Sequence, residues 1–313
     1  MRVAEALAAK LKEYSPLREI ILLGDILDLQ LANWAQAIEG MILPGGRRVP
    51  GFRYFLNFLL HETGAKNVVY IPGNHDYRIF DYHSIDKNLI QPLRNGRKLG
   101  GKISFFRTFP ESFLQGIINI PDVRMRVLYP HLSLKVNRSR LVLTHGHFFD
   151  PTQAFSHEVG KVFAKARRQN KDDLSKIRHA YLRRVSLYQG IVSTVMTRRD
   201  LRGVFNAIYQ PFSALQERIV HRMRKSFLTD AMKTSIQNYI AFCCRTPNVD
   251  GVIFGHTHRA GHAVLKDAAP QYVWNTGAFL RESKDSPHGT FITILNDGSS
   301  PLTESVRVHH LVL

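Results

Sequence analysis

The sequence predicts an α/β fold with a largely parallel or mixed sheet, and three observations lead to this prediction. Short continuous apolar runs, such as residues 20–23, stop at glycine, which is typical of strands buried on both faces. Stretches with helical spacing of apolar residues separate the runs. The 313 residues are 44% hydrophobic and 22% charged, an ordinary globular composition that excludes a disordered or a fibrous chain.

The elements can be justified in chain order. A first helix is predicted over residues 2–14, because Val3, Leu7 and Leu11 recur every four residues. A second helix is predicted over residues 52–62. The predicted strands lie at residues 19–24, 67–73, 140–145, 250–255, 271–274 and 290–295.

Residues 151–245 contain no convincing strand. They are predicted to form several helices, for instance 157–170, 172–197 and 212–243. We therefore expect one domain over residues 1–313, with residues 151–245 as a helical insertion or cap within it.

The positive charge concentrates in that insertion. The whole chain has 43 Lys and Arg against 25 Asp and Glu, a net charge of +18, and residues 151–245 alone hold 18 against 6, a net +12. Such a surface attracts phosphates, nucleic acid or an anionic membrane surface. A solvated helical face that binds nothing specific is the alternative.

The sequence shows no apolar run near the ~18 residues that a membrane-spanning helix needs. The first 14 residues form an amphipathic pattern rather than a secretion signal. The two cysteines, Cys243 and Cys244, are adjacent and make no disulfide framework. We expect a cytoplasmic protein, with peripheral contact of the basic insertion at the inner face of the membrane as an extension of that expectation.

Polar residues follow four of the predicted strands directly. In open α/β sheets, ligands bind beyond the carboxyl ends of the strands. A cluster of carboxylate, amide and imidazole groups suits divalent ions such as Mn, Fe, Zn or Co, and two ions about 3.5–4 Å apart can clamp a phosphoryl group. The residues are Asp25 and Asp28, then Asn74, His75 and Asp76, then His145 and His147, then His256 and His258.

Four of these segments, in this order, resemble the signature of the calcineurin-like metallophosphoesterases. They are Gly24-Asp25-x-x-Asp28, Gly73-Asn74-His75-Asp76, Thr144-His145-Gly146-His147 and Gly255-His256-Thr257-His258. The resemblance implies a β-sandwich of mixed sheets flanked by helices. It also implies hydrolysis of a phosphate ester or pyrophosphate by metal-activated hydroxide, with two divalent ions (Mn, Fe or Zn).

The resemblance also implies a role for each residue. Asp25 matches the aspartate that bridges both metals. Asn74, His145 and His256 match ligands of the second metal, and His258 matches a ligand of the first. His75 matches the histidine that stabilises phosphoryl oxygens or protonates the leaving group. Asp28 or Asp76 would orient His75, and His147 would line the site or stabilise a ligand loop.

One family motif is absent from its usual place. The family opens with Asp-x-His, which supplies two ligands of the first metal, whereas no such triplet precedes Asp25. The triplet Asp81-Tyr82-His83 follows the second motif and is interpreted as accidental. Two explanations compete: a start that lies further upstream, which we favour, or a loss that leaves a weak enzyme or a metal-binding scaffold.

The core motifs do not choose the substrate. Basic helices over a dimetal site resemble the cap of the bacterial UDP-2,3-diacylglucosamine pyrophosphatase-like branch, which implies a phosphorylated small molecule or a nucleotide-linked lipid as substrate. The alternative is a nucleic-acid or nucleotide phosphodiesterase, since +12 in one segment also attracts a polyanion. Nucleic acid is the less favoured partner, because the sequence shows no recognised nucleic-acid module.

Overall fold

The computed structural model describes residues 2–26, 52–76, 107–109, 122–149, 227–244, 248–265, 270–277 and 289–311. The chain divides into two compact units. The first comprises residues 1–130 with 311–313, and the second comprises residues 131–310.

The first unit contains two helices and a mixed four-stranded sheet. The helices are Arg2–Lys12 (α1) and Phe52–Thr63 (α2), and the strands are Ile20–Leu22 (β1), Asn67–Tyr70 (β2), Arg107–Phe109 (β3) and Arg124–Tyr129 (β4). The strand order is β1-β2-β4-β3. Strands β1, β2 and β4 are parallel, and β3 pairs antiparallel with β4.

Apolar burial explains why these segments form the elements that they do. Helix α2 buries Leu56, Leu59 and Leu60 on one face, the spacing of an amphipathic helix, and it contacts α1. In β2, Val68 and Val69 are both buried. Two successive buried residues require cover on both faces of the strand, which is typical of parallel sheets.

The second unit contains the larger sheet. Its strands are His131–Val136 (β5), Ser139–Thr144 (β6), Gly251–Phe254 (β7), Ala260–Val264 (β8) and Tyr272–Thr276 (β9), and the order is β5-β6-β7-β9-β8. Strands β6, β7 and β9 are parallel neighbours, while β5 and β8 pair antiparallel at the two edges. The unit also contains the helix Asp230–Cys243 (α3) and a separate two-stranded sheet of Gly289–Ile294 (β10) and Val306–Leu311 (β11), with a short helix Leu302–Ser305 (α4) between those two strands.

Helix α3 is the described part of the predicted basic insertion. It begins where the Thr229 hydroxyl caps the Met232 amide at 3.3 Å and buries Met232, Ile236 and Tyr239 along one face. This helix confirms the C-terminal part of the helix predicted over residues 212–243. The prediction is wrong for residues 227–229, which are not helical. The predicted helices 157–170 and 172–197 lie outside the described residues, so the insertion stays a prediction.

The hairpin between β5 and β6 is tied to the loop after β10. Asn137, in the hairpin turn, has φ 53° and donates from Nδ2 to the Ser300 carbonyl at 2.8 Å. Its backbone amide donates to Asn296 Oδ1 at 2.8 Å, and its Oδ1 accepts from the Gly298 amide at 2.7 Å. The loop is itself organised by Asp297, whose Oδ1 accepts from the Ser300 amide at 2.9 Å.

The described structure confirms the predicted fold class, an α/β fold of mixed sheets flanked by helices. Each predicted strand and both predicted N-terminal helices are present, with ends shifted by a few residues. Among the described residues, no helix has the length and apolar character that crossing a membrane requires.

Candidate metal centre

Strands β1 and β2 bring two polar loops to the same edge of the first sheet. The strands are parallel, and the pairing continues beyond them because the Ile71 amide donates to the Leu22 carbonyl at 2.9 Å. Asp25 follows β1 and Asn74 follows β2. The two loops are joined directly, since Asp25 Oδ1 accepts from the His75 amide at 2.9 Å.

Gly73 permits this close approach of the two loops. A Cβ atom at this position would lie 2.2 Å from Asp25 Oδ1 and 2.9 Å from the Asp25 amide nitrogen. Real Cβ atoms do not approach other heavy atoms so closely. The glycine in the second motif is therefore a steric requirement for the position of Asp25, whose own backbone is left-handed with φ 52°.

The Asp76 carboxylate accepts hydrogen bonds from both of these loops. It is fully buried, and its Oδ2 accepts from the Ile26 amide at 2.9 Å. The Gly73 amide donates to Oδ1 and the Tyr70 hydroxyl donates to Oδ2. One carboxylate thereby fixes the turn after β2 and the turn after β1.

The Tyr70 hydroxyl is a permanent donor to this carboxylate. Burial, and then the negative charges of Asp76 and Asp25, raise the pKa of Tyr70 well above its ordinary value of 10.0. The phenol therefore stays protonated at neutral pH. Its hydrogen bond stabilises a buried carboxylate that desolvation would otherwise penalise.

Strands β6 and β7 repeat the arrangement in the second unit. They are parallel neighbours, and the Gly255 amide donates to the His145 carbonyl at 2.9 Å just past their ends. His145 follows β6 and is buried, while His256 follows β7 and is half-buried. Their rings are 5.2 Å apart between centroids and nearly perpendicular.

The two histidines offer nitrogen atoms at a spacing that fits one metal ion. His256 Nδ1 and His145 Nε2 are 3.3 Å apart. Zinc–imidazole bonds of about 2.0–2.1 Å place two nitrogen ligands of one ion about 2.9–3.4 Å apart for right-angled to tetrahedral coordination. A metal ion would accept the lone pairs of both nitrogen atoms. Without a metal ion, a hydrogen bond between the two rings requires that one of these nitrogen atoms carries a proton. The donor chemistry and the spacing both fit a divalent metal.

The loop that carries His256 is backbone-strained and is held by Asn275 of β9. His256 and His258 have φ 68° and 60°. Asn275 is fully buried, and its Nδ2 donates to the Gly255 carbonyl at 3.0 Å and to Thr257 Oγ1 at 2.7 Å. Its Oδ1 accepts from the Gly277 amide at 2.9 Å.

The remaining predicted site residues are distributed as follows. Asn74 is buried and His75 is half-buried in the first unit. In the second unit His258 is exposed, and the buried His147 lies with its ring 5.6 Å from that of His145 and 4.0 Å from that of Phe148. Their assigned roles stay predictions.

Two predicted features lie outside the described residues. Asp28 is one, and the triplet 81–83 is the other. The role of Asp76 in orienting His75 also stays a prediction. The hydrogen bonds described here show Asp76 fixing the backbone of its own loop and of the loop after β1.

Sequence reasoning missed two residues of the site. Tyr70 lies in the predicted strand 67–73, where the apolar pattern indicates burial, and a buried tyrosine hydroxyl requires a hydrogen-bond partner. Asn275 carried a stronger signal. It is a polar residue at the end of a strand, as are Asp25, Asn74, His145 and His256, and it precedes Thr-Gly.

Comparison with known families agrees with these features. The profile of the calcineurin-like phosphoesterase family matches residues 3–260, which is most of the chain. A search of curated proteins finds no significant relative. The chain belongs to the calcineurin-like phosphoesterase family, and this membership supports a metal-dependent hydrolase that acts on phosphate esters.

Proposed function

We propose that the chain binds divalent metal and uses it to hydrolyse a phosphate ester or pyrophosphate bond. The observation that carries the proposal is the 3.3 Å spacing of His256 Nδ1 and His145 Nε2 at the ends of parallel strands in a chain of this family. Asp25 is proposed as the shared carboxylate ligand. Asn74 and His258 complete the proposed set.

The proposed chemistry divides the work between metal and protein. When bound, the metal ions lower the pKa of a water molecule and stabilise the charge that develops on the phosphoryl group. Asp25, a carboxylate, offsets the positive charge of the ions. His75 donates a hydrogen bond or a proton to the phosphoryl or leaving-group oxygen.

We further propose that the substrate is a phosphorylated small molecule or a nucleotide-linked lipid. The proposal rests on the charge of residues 151–245, a net +12, which favours an anionic substrate or membrane surface. A phosphodiesterase acting on nucleic acid is the competing proposal, and it rests on the same charge.

Metal-dependent turnover tests the reaction. The chain is stripped with EDTA and then titrated with Mn²⁺, Zn²⁺ or Fe²⁺ against a generic phosphodiester, a UDP-lipid pyrophosphate and a single-stranded oligonucleotide. We expect hydrolysis of at least one substrate, in proportion to bound metal. Metal binding without hydrolysis of any of the three would instead favour a scaffold that has lost catalysis.

Two histidine substitutions, each with a matched control, separate metal binding from chemistry. His256→Ala should lose metal and activity together, whereas the exposed His262→Ala on β8 should lose neither. His75→Ala should lower turnover and keep its metal, with the exposed His61→Ala as its control. Loss of metal in His75→Ala would show that this histidine is a ligand, contrary to the proposal.

Liposome and nucleic-acid binding at matched salt test the substrate class. Preference for anionic vesicles supports the lipid-linked substrate, and preference for the oligonucleotide supports the competing proposal. Salt-insensitive or absent binding to both would mean that the charge is a solvated face.

A further inference from the structure

The loop that carries His256 closes on itself in a strained turn. The Thr257 amide donates to the Gly255 carbonyl at 2.8 Å, which makes residues 255–257 a three-residue γ-turn with His256 at its centre. Its φ of 68° corresponds to the rare, strained form of this turn. His258, with φ 60°, is a second residue of this loop that has left-handed backbone although it carries a Cβ.

A turn of this kind persists only where its surroundings determine it. Among the described residues, the side chain of Asn275 bonds to both ends of the turn. Asn275 is the register partner of Phe254, the last residue of β7, so its amide lies beside the start of the turn. Its two bonds from Nδ2 go to both ends of the turn, the Gly255 carbonyl at 3.0 Å and Thr257 Oγ1 at 2.7 Å.

The amide is itself fixed in orientation. Asn275 Oδ1 accepts from the Gly277 amide at 2.9 Å, so the oxygen points away from the turn and the NH₂ group points toward it. Both donors and one acceptor of the amide are used. A carboxylate could replace the acceptor but would present a second negative oxygen to the Gly255 carbonyl.

We propose that Asn275 is a positioning residue for the metal centre: it holds the Gly255–Thr257 turn in its strained form and thereby keeps His256 Nδ1 within reach of the cation that His145 binds. The inference rests on the proposed function, namely on the His145–His256 pair as metal ligands. Asn275 touches neither the metal nor the substrate in this scheme. It acts through the backbone, and its loss lets the turn relax and the nitrogen–nitrogen spacing open.

Cobalt affinity of the whole chain tests the proposal without any substrate. Co²⁺ is titrated into the EDTA-stripped protein, and its visible absorption reports both the dissociation constant and the coordination geometry. Outer partners of metal ligands typically change metal affinity 10- to 100-fold. We expect Asn275→Ala and Asn275→Asp to raise the Co²⁺ dissociation constant at least ten-fold and to alter the spectrum.

Thr257 provides a milder pair of variants. Thr257→Val removes the hydroxyl that accepts from Asn275 and should weaken Co²⁺ binding several-fold. Thr257→Ser keeps the hydroxyl, and its Co²⁺ affinity should stay within two-fold of that of the parent protein. If Asn275→Ala fails to fold, this pair decides the matter. Equal affinity of the two Thr257 variants would then overturn the proposal.

A control variant distinguishes positioning from general stability. Thr293 of β10 is buried, and its hydroxyl is 2.8 Å from His309 Nε2 in the same unit. Thr293→Val should lower the unfolding temperature and leave the Co²⁺ affinity and spectrum unchanged. If a folded Asn275→Ala also loses stability but binds Co²⁺ within two-fold of the parent protein, Asn275 is merely structural.

The His256→Ala variant separates this inference from the proposed function. Unchanged Co²⁺ binding in His256→Ala would remove the histidine pair as ligands, and both proposals would fail. Loss of binding in His256→Ala, together with normal binding in Asn275→Ala, would leave the metal site standing and reject only the positioning role.

Discussion

At the scale of single residues, buried polar groups next to the candidate ligands determine the shape of the ligand loops. Asp76 and Asn275 do this in the two units with opposite chemistry. The carboxylate collects backbone and phenol donors, whereas the amide supplies donors to a carbonyl and a hydroxyl. In each case the donors and acceptors around the side chain favour the residue type that is present: a carboxylate at Asp76 and an amide at Asn275.

Tyr70→Phe tests the importance of the phenol donor to Asp76. Deleting the hydroxyl leaves a buried carboxylate with one hydrogen bond fewer, so we expect a loss of about 1.5–3 kcal/mol in the free energy of unfolding. Urea denaturation measures it. Tyr272→Phe is the matched control, because the Tyr272 phenol makes no hydrogen bond with the residues that the structure describes, and it should stay within about 0.5 kcal/mol.

Gly73→Ala tests the close approach of the two loops in the first unit. The added methyl collides with Asp25, so the loop after β1 must move. We expect metal affinity to fall at least ten-fold and stability to fall by about 1–3 kcal/mol, measured by metal titration and urea denaturation.

Gly298→Ala separates the collision at Gly73 from a general cost of replacing glycine. Gly298 has φ 89°, and a Cβ there meets nothing within 4 Å. It should show only the cost of left-handed backbone, about 1–2 kcal/mol, with metal affinity intact. Equal metal loss in both variants would contradict the steric argument.

At the scale of elements, the strands that the sequence pattern predicted and the strands that it did not predict differ in the burial of their side chains. Strands β6 and β7 are parallel and central, and their buried residues form continuous apolar runs, which are conspicuous in a sequence. Strand β5 is an antiparallel edge strand whose exposed and less exposed side chains alternate. Its signal is a two-residue period, which differs from the continuous apolar runs of the central strands.

Strands β4 and β8 were also not predicted. Strand β4 begins with two arginines within its first three residues, and Arg126 Nη2 pairs with Glu19 Oε1 at 2.8 Å. Strand β8 is a short edge strand with small residues, AGHAV. Pairing with neighbours distant in the sequence determines these strands, and local pattern carries little of that information.

The loop after β10 gives a prediction about pH. Hydrogen bonds from the Ser300 hydroxyl, and then from the Ser300 and Ser299 amides, lower the pKa of Asp297 far below its ordinary value of 3.8. The charged form is the one that the folded loop binds. Its contribution to stability is therefore complete above the unfolded pKa and is lost as the pH falls from about 4 toward the folded value.

Asp297→Asn should lower the urea midpoint at pH 7, and the difference from the parent protein should shrink as the pH falls below about 4. Glu304→Gln is the control, because the described residues donate no hydrogen bond to that exposed carboxylate, and its midpoint should match the parent at each pH. A difference for Asp297→Asn that is constant down to pH 3 would contradict the argument.

At the scale of the whole molecule, the candidate ligands divide between the two units. Asp25 and Asn74 belong to the first, and His145, His256 and His258 belong to the second. The sequence order of the motifs was sufficient to identify the family, which the family profile over residues 3–260 confirms. The position of Asn275 at a strand end is visible in the sequence, but its partners depend on the register of β9 against β7, which the sequence does not show.

Metal linkage is the prediction at this scale. A ligand that binds only the folded chain stabilises it by about 2.7 kcal/mol at 100 times its dissociation constant. We expect Mn²⁺ to raise the unfolding temperature in a concentration-dependent way and EDTA to reverse the rise. His145→Ala should abolish the response, and a response of unchanged size in that variant would exclude His145 as a ligand.

Because Asn275 pairs with Phe254, the proposed metal centre depends on the alignment of β9 with β7. A slip of one residue between β7 and β9 would turn the Asn275 side chain to the opposite face of the sheet. The backbone hydrogen bonds would re-form in the shifted alignment, so circular dichroism would change little. On the proposed role of Asn275, a variant that loosens β9 should therefore lose metal binding before its circular dichroism spectrum changes.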